Sequence, residues 1–334
     1  YKNKYEKNGL VPQDIETLEG VEPDVQEITW QEKKEWTDEG RITLEDVAQG
    51  KSSLDQLLEQ LSDREVARLL GGQANTGVAN TYGMGSLPAY GIPNIMTADG
   101  PAGLRIREEC GVYTTAWPCA TLLACTWNPE LVFEVGAAGA AEVKENNIGI
   151  WLTPAMNIHR SPLCGRNFEY YSEDPLVSGK MGSAMIRGIQ SRHVGASMKH
   201  FCCNNKETNR KDSDSRVSER ALREIYLKGF EIAVKEAQPW TVMSSYNLMN
   251  GYPTSCNPEL LQGILRDEWG FEGMVTTDWW NHAEHYLEVK AGGDIKMGCG
   301  YPERILEAKE KGLVSREEME RCAKRILQMI LKID

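Results

Sequence analysis

No apolar run in this chain approaches the roughly 18–20 residues needed to cross a bilayer, so no membrane span is expected. Basic charge is in short supply. Lys and Arg number 37 against 49 Asp and Glu, a formal net charge of -12, which argues against nucleic acid or an anionic membrane as partner. Histidine is scarce at five residues, and no cluster of His or Cys has metal-ligand spacing, so no metal is expected. His282 and His285, three apart on an expected helix, read as surface or rim residues. No GxGxxG follows the first strand and no GxxxxGK[ST] occurs anywhere. Nucleotide binding therefore lacks its fingerprint, and no cofactor is expected. The nine cysteines are an odd number, and Cys202 and Cys203 are adjacent. Free thiols in a reducing compartment fit better than a disulfide framework, so a cytoplasmic location is expected. No signal peptide is visible, but the chain begins at Tyr1 rather than Met, so sequence before it is expected.

What is present is ample for a large core. The 334 residues are 41% hydrophobic, enough for one large domain or two ordinary ones. Residues 1–50 hold 13 acidic and 6 basic side chains, a net of -7, and show no sustained period of 3.6 or 2. They read as an extended acidic arm, and residues 51–334 as one domain.

In that domain Leu54, Leu57, Leu58 and Leu61 recur at helical spacing, and Ser62 with Glu65 forms a capping box for a second helix ended by Gly71-Gly72. The glycine-rich stretch 72–88 is expected to be a mobile or sheltering loop. Strands are then expected over 92–97, 149–158, 194–201, 241–247, 273–277 and 294–298. Between and after them fall helices over 129–146, 175–192, 218–237, 257–269, 302–311 and from 316 to the end. Asp174, Ser218 and Ser315 are the expected N-caps, Ser315 in a box with Glu318. Repeated strand-then-helix units mean a parallel sheet, and six or more in one core favour a (β/α)8 TIM-type barrel, regular or irregular, over an open doubly wound sheet.

The run Gly273–Trp280 is the centre of this pattern: a buried strand that stops at a carboxylate followed by two indoles. Local pattern alone does not separate a catalytic Asp278 from one that caps a helix over 281–290. Other strand ends decide between them. In a parallel barrel these ends meet on one face. There the sequence places Asp99, the loop with Arg166, Lys199-His200, Tyr246-Asn247 and Asp278-Trp279. Carboxylates with Arg and Lys suit vicinal hydroxyls, which both donate and accept, and aromatic rings cover the apolar faces of a pyranose. Taken singly, Arg166 reads more readily as a loop salt-bridge partner, and Glu169, Glu173 and Glu207 as solvated or structural. Lys199 ends an otherwise apolar strand and is harder to explain structurally.

The segments Thr97–Pro101, Gly165–Pro175, Lys199-His200-Phe201, Met243–Asn247 and Gly270–Trp279 resemble, in order, those of the barrel domain of glycoside hydrolase family 3, the β-glucosidase group. The resemblance implies a retaining exo-acting β-glucosidase with Asp278 as nucleophile. It implies that Asp99, Arg166, Lys199 and His200 hold the sugar hydroxyls, and that Met243, Tyr246 and Trp279 line the subsite. A β-glucoside or oligosaccharide is the implied substrate. The family's N-acetylglucosaminidase branch carries Pro-Gly-His-Gly after Lys-His-Phe, where this chain reads Cys202-Cys203-Asn204-Asn205, so that branch is disfavoured. In the β-glucosidase branch the acid/base glutamate sits on a separate α/β sandwich domain, which this chain lacks and which some members place before the barrel. A companion domain is therefore expected to supply the proton donor, with Glu169 and Glu173 as fallbacks. Lys199 and Arg166 are expected to help keep Asp278 ionised. A β-xylosidase, a broad β-glycosidase, a Schiff-base aldolase using Lys199 and a non-catalytic sugar-binding barrel are the alternatives.

Overall fold

The computed structural model describes residues 40–333. Among the described residues three short helices come first: α1 (Leu44–Ala48), α2 (Leu54–Gln60) and α3 (Asp63–Leu69). Each starts at a capping box. The hydroxyl of Thr43, Ser53 or Ser62 accepts the N–H three residues on, and that residue's side chain accepts the cap's own N–H. The arm expected over 1–50 lies, as far as residue 39, outside the described residues. Its last part is helical instead of extended, because the Thr43 box and buried Leu44 set a turn there.

Nine strands follow: β1 (Gly83–Leu87), β2 (Ile92–Ala98), β3 (Ile150–Trp151), β4 (Gly195–Phe201), β5 (Asp214–Ser215), β6 (Thr241–Ser244), β7 (Leu248–Met249), β8 (Tyr252–Pro253) and β9 (Met274–Thr276). Six form a curled sheet in the order β1-β2-β3-β4-β6-β9, and the short β5, β7 and β8 form a second sheet. In the large sheet only the β1–β2 pair is antiparallel. Single bridges continue it at both edges. Thr276 pairs with Ile295, Lys296 with Gly71, and Gln73 with Gly83 of β1.

Three of the expected stretches around the sheet differ. The loop expected over 72–88 contains β1, paired along β2 and, at Gly83, with Gln73. The strand expected over 149–158 is only two residues long, since Pro154 has no N–H to continue the ladder. The strand expected over 294–298 contributes bridges only, and turns away at Gly298, whose φ is +95°.

Covering helices alternate with the strands: α4 (Ala120–Ala124), α5 (Pro129–Glu145), α6 (Pro175–Gln190), α7 (Glu219–Ala221), α8 (Lys228–Ala237), α9 (His285–Ala291), α10 (Pro302–Glu310) and α11 (Arg316–Ile330). Asp174, Ser218 and Ser315 cap their helices as expected. The helix expected over 218–237 is interrupted by a π-wound segment at Leu222–Tyr226, and the one expected over 257–269 is π-wound across Glu259–Glu268. α5 and α6 pack closely because a Cβ on Gly188 would collide with the carbonyl of Phe133. β4 is buried along its whole length, Lys199 and His200 included. The parallel strands β2, β4, β6 and β9 all point their C-terminal ends at one side of the sheet, and a cavity of about 560 Å³ opens there.

Candidate active site

All eight residues expected at the site line this cavity, each at a strand's C-terminal end or in the loop beyond it. Asp99 follows β2, and Lys199 and His200 end β4. Met243 lies in β6, with Tyr246 just past it. Arg166 comes from the long loop after β3. Asp278 and Trp279 follow β9.

Asp99 is held by two cations. Lys199 Nζ lies 2.6 Å from Oδ1 and Arg105 3.3 Å from Oδ2, while the Asp99 N–H donates to the Asn80 side chain at 3.0 Å. Burial alone would raise its pKa, but Lys199 and then Arg105 outweigh it and bring it to about 2. The Lys199 nitrogen is thus committed to an ion pair, which disfavours a Schiff-base role.

His200 is fixed through its backbone. Its N–H donates to Asn157 Oδ1 at 2.9 Å, and Asn157 Nδ2 donates to its carbonyl at 2.9 Å. Burial, with Arg166, Lys199 and Arg210 nearby, holds its pKa well below the ordinary value, so the imidazole is neutral. Its Nε2 lies 4.0 Å from Asp278 Oδ2.

Asp278 accepts the Trp279 N–H at 2.8 Å on Oδ1. Its Oδ2 is buried with no hydrogen-bond partner among the described residues. Asp278 caps no helix, since α9 begins seven residues later at His285. The nearby cations help ionise it, as expected, but do not prevail. Arg166, Lys199 and Arg210 do pull its pKa down, but burial is the larger effect and the net shift is upward. Tyr246 Oη donates to the Trp279 carbonyl at 2.6 Å, and burial followed by the Asp278 charge makes the phenol harder to ionise.

The other acidic candidates divide. Glu169 is buried in the cavity wall and bonded to Arg166 Nε. Glu207 accepts from Asn204 and Arg210 at 3.0 Å each, outside the lining. Glu173 is exposed and does not line the cavity. His285 is buried, not on the surface or rim, because α9 turns it into the core; His282 alone is exposed, 3.1 Å from Asp212. No residue of the nine-cysteine set is in a disulfide. Among the described residues no helix is long and apolar enough to cross a membrane.

Sequence reasoning missed Asn80, Arg105, Arg210 and Lys211, all in the lining, where Trp280, the second indole after Asp278, also stands. Arg105 carried a faint signal, as a cation shortly after the Asp99 turn. The 72–88 stretch does shelter the site, supplying Asn80, Thr81 and Tyr82. Arg210 and Lys211 sit in a loop without periodicity, and Arg210 lies 4.7 Å over the Tyr246 ring.

Comparison with known proteins agrees on one family. The model for the glycosyl hydrolase family 3 N terminal domain matches residues 59–329. Beta-glucosidase A of Butyrivibrio fibrisolvens is 61% identical over 276 residues, covering 83% of this chain and 33% of that protein. An exo-alpha-(1->6)-L-arabinopyranosidase of Bifidobacterium longum is 40% identical over 267 residues, 77% of this chain and 35% of that protein. Among solved structures, beta-glucosidase 3B of Thermotoga neapolitana in complex with alpha-D-glucose superposes with a TM-score of 0.80 at 46% identity, over 84% of this chain and 42% of that one. The chain spans about a third of the length of these curated relatives.

Proposed function

Since the chain belongs to glycosyl hydrolase family 3, we propose that it is the nucleophile-bearing part of a retaining, exo-acting β-glucosidase. The observation that carries this is Asp278. It is a buried carboxylate at a strand end, with one oxygen held by a backbone N–H and the other unpartnered in the cavity. In this reading Oδ2 bonds to the anomeric carbon as the bond to the leaving oxygen breaks. Water then attacks the same carbon and releases the carboxylate.

The remaining groups hold the sugar. Asp99 and Lys199 form a fixed donor–acceptor pair for hydroxyls, and Arg166 adds a planar donor. Neutral His200 donates without competing for the charge on Asp278. Met243, Tyr246 and Trp279 cover the ring, and the Tyr246 hydroxyl ties down the peptide next to the nucleophile.

A retaining mechanism also needs a proton donor about 5–5.5 Å from the nucleophile. The cavity's two other carboxyl groups are unsuited: Asp99 is held ionised by two cations, and Glu169 is bonded to Arg166. We assign the acid/base to a companion α/β sandwich domain, outside this chain. We read residues 51–334 as an irregular TIM-type (β/α)8 barrel, with the helix α1 at the end of the preceding arm packed on it through Leu44. The bridges Thr276–Ile295, Lys296–Gly71 and Gln73–Gly83 support it, as they supply the two staves that would close the sheet. The unpaired cysteines suit a cytoplasmic location.

Glucose is the favoured sugar because the relatives include beta-glucosidases. The likeness to an arabinopyranosidase keeps a pentoside-cleaving or broad β-glycosidase as the second reading. A 2-deoxy-2-fluoro-β-glucoside with an activated leaving group tests the proposal, with peptide mapping to find the label. Label on Asp278 is the expected result. Label elsewhere, or a D278N variant that still labels, overturns it. Preference for the matching arabinoside or xyloside would favour the second reading.

A further inference from the structure

Glycosyl transfer leaves one group at the cavity mouth without a task. Arg105, Arg166, Lys199 and Arg210 each have a carboxylate within ion-pair distance. Lys211 has none among the described residues. Its Nζ donates to the Trp280 carbonyl at 2.8 Å and lies 5.4 Å from the Tyr246 ring centre. Around the cavity five cations face Asp99, Glu169 and Asp278 in the lining and Glu207, the partner of Arg210, just outside it, an excess of one positive charge in a chain of net charge -12. An excess of that sign in a concave, partly desolvated site draws anions.

Aromatic surface stands beside this ammonium. Trp280 and Phe168 line the same cavity with 38% and 48% of their surface exposed. Trp280 is also fixed in place. Its N–H donates to the Met297 carbonyl, Gly298 packs on its indole where a Cβ would collide, and Tyr82 meets it edge-on at 5.5 Å. A fixed indole at the rim of a sugar site suits a planar leaving group.

We propose that this mouth takes an aromatic leaving group bearing a carboxylate, as in the β-glucoside of a phenolic acid. Its ring would lie against Trp280 and Phe168 and its carboxylate on Lys211. The inference rests on the β-glucosidase reading and adds the class of aglycone to it. Burial, and then Arg210, lower the pKa of Lys211 by more than Asp278 and Asp212 raise it; an anion in contact supplies the counter-charge that none of them gives at ion-pair distance.

Non-hydrolysable thioglucosides test this on the chain as it stands, since binding needs no proton donor. The 4-carboxyphenyl β-thioglucoside is expected to bind about fivefold more tightly than its neutral isostere, the 4-carbamoylphenyl compound, by calorimetry at low salt. High salt should shrink that ratio. K211M should bring it to one and K211R keep it, whereas a lysine that merely staples the loop would change both affinities alike. A ratio near one in the unaltered chain overturns the inference, and so does failure of both compounds to bind a chain that labels at Asp278. A chain that does not label at Asp278 at all overturns the β-glucosidase reading instead.

Discussion

Two carboxylates in one cavity are pushed in opposite directions, and the cause is the number of cations each touches. Asp99 touches two and is held near pKa 2. Asp278 touches none directly, and burial raises it above the ordinary value of 3.8. Each shift changes stability with its own sign. Asp99 stabilises the fold above its unfolded pKa, and that contribution is lost as pH falls toward about 2. Asp278 holds its proton more tightly folded than unfolded, so its contribution is lost as pH rises from the ordinary value of 3.8 through its higher folded pKa and the carboxylate ionises. D278N should therefore abolish labelling yet raise the melting temperature by about 2–4 °C, a difference readable by calorimetry. The rate of trapping should fall on the acid side with an apparent pKa above 3.8; an acid limb at or below that value would contradict the burial argument. The residues Asp99, Lys199, His200 and Asp278 were legible because a polar group ending an apolar strand stands out locally. The upward shift of Asp278 was not, since burial is set by residues distant in sequence. Nor was Lys211, on a loop that has no pattern to read.

The loop after β9 is fastened along its length to the segment that follows α9. Lys296 Nζ donates to the Asn281 side chain, to the Ala283 carbonyl at 2.8 Å and to Glu288 at 3.0 Å. Thr277 Oγ1 accepts the Met297 N–H at 2.9 Å. Lys296 and Glu288 are 1% exposed each, so removing one leaves the other as an unpaired buried charge. K296M should cost about 3–5 kcal/mol of stability in denaturant unfolding, and K296M with E288Q should recover much of it. A double variant no better than the single would mean that the pair's charge is not what matters. Where chemistry is local, the elements were legible. Ser62 with Glu65, Ser315 with Glu318, and Asp174 before Pro175 mark helix starts by their own hydrogen bonds. Gly83–Leu87 was read as loop because its glycines lack strand propensity and only pairing with Ile92–Met96 makes it a strand. The π-wound turns left no local mark in the sequence.

At the scale of the molecule, the α/β layout with a mostly parallel sheet was legible from the repeat of strands and helices, since a parallel pair needs a long crossover and a helix supplies it. How the sheet's edges meet was not, because single bridges involve only one or two residues. The proposed companion domain makes its own forecast. The chain alone should turn over glucosides with activated leaving groups, which need little protonation, at least about 100-fold better relative to alkyl glucosides than the protein with that domain does. Equal ratios with and without the domain would place the proton donor in this chain.

The seam of the sheet has a consequence for when the site exists. Asp278 lies just past β9, whose outer side is bridged from Thr276 to Ile295, with Lys296 bridged in turn to Gly71, so that side stays an open edge until these segments arrive. Until then Asp278 has neither its dry surroundings nor its fastened loop. Such a chain behaves like an arch whose last stone also carries the tool: folding and arming are one event. Amide exchange at Gly72 and Lys296, whose N–H groups cross the seam to the carbonyls of Lys296 and Leu70 at 2.9 Å, should therefore slow in step with the gain of labelling during refolding.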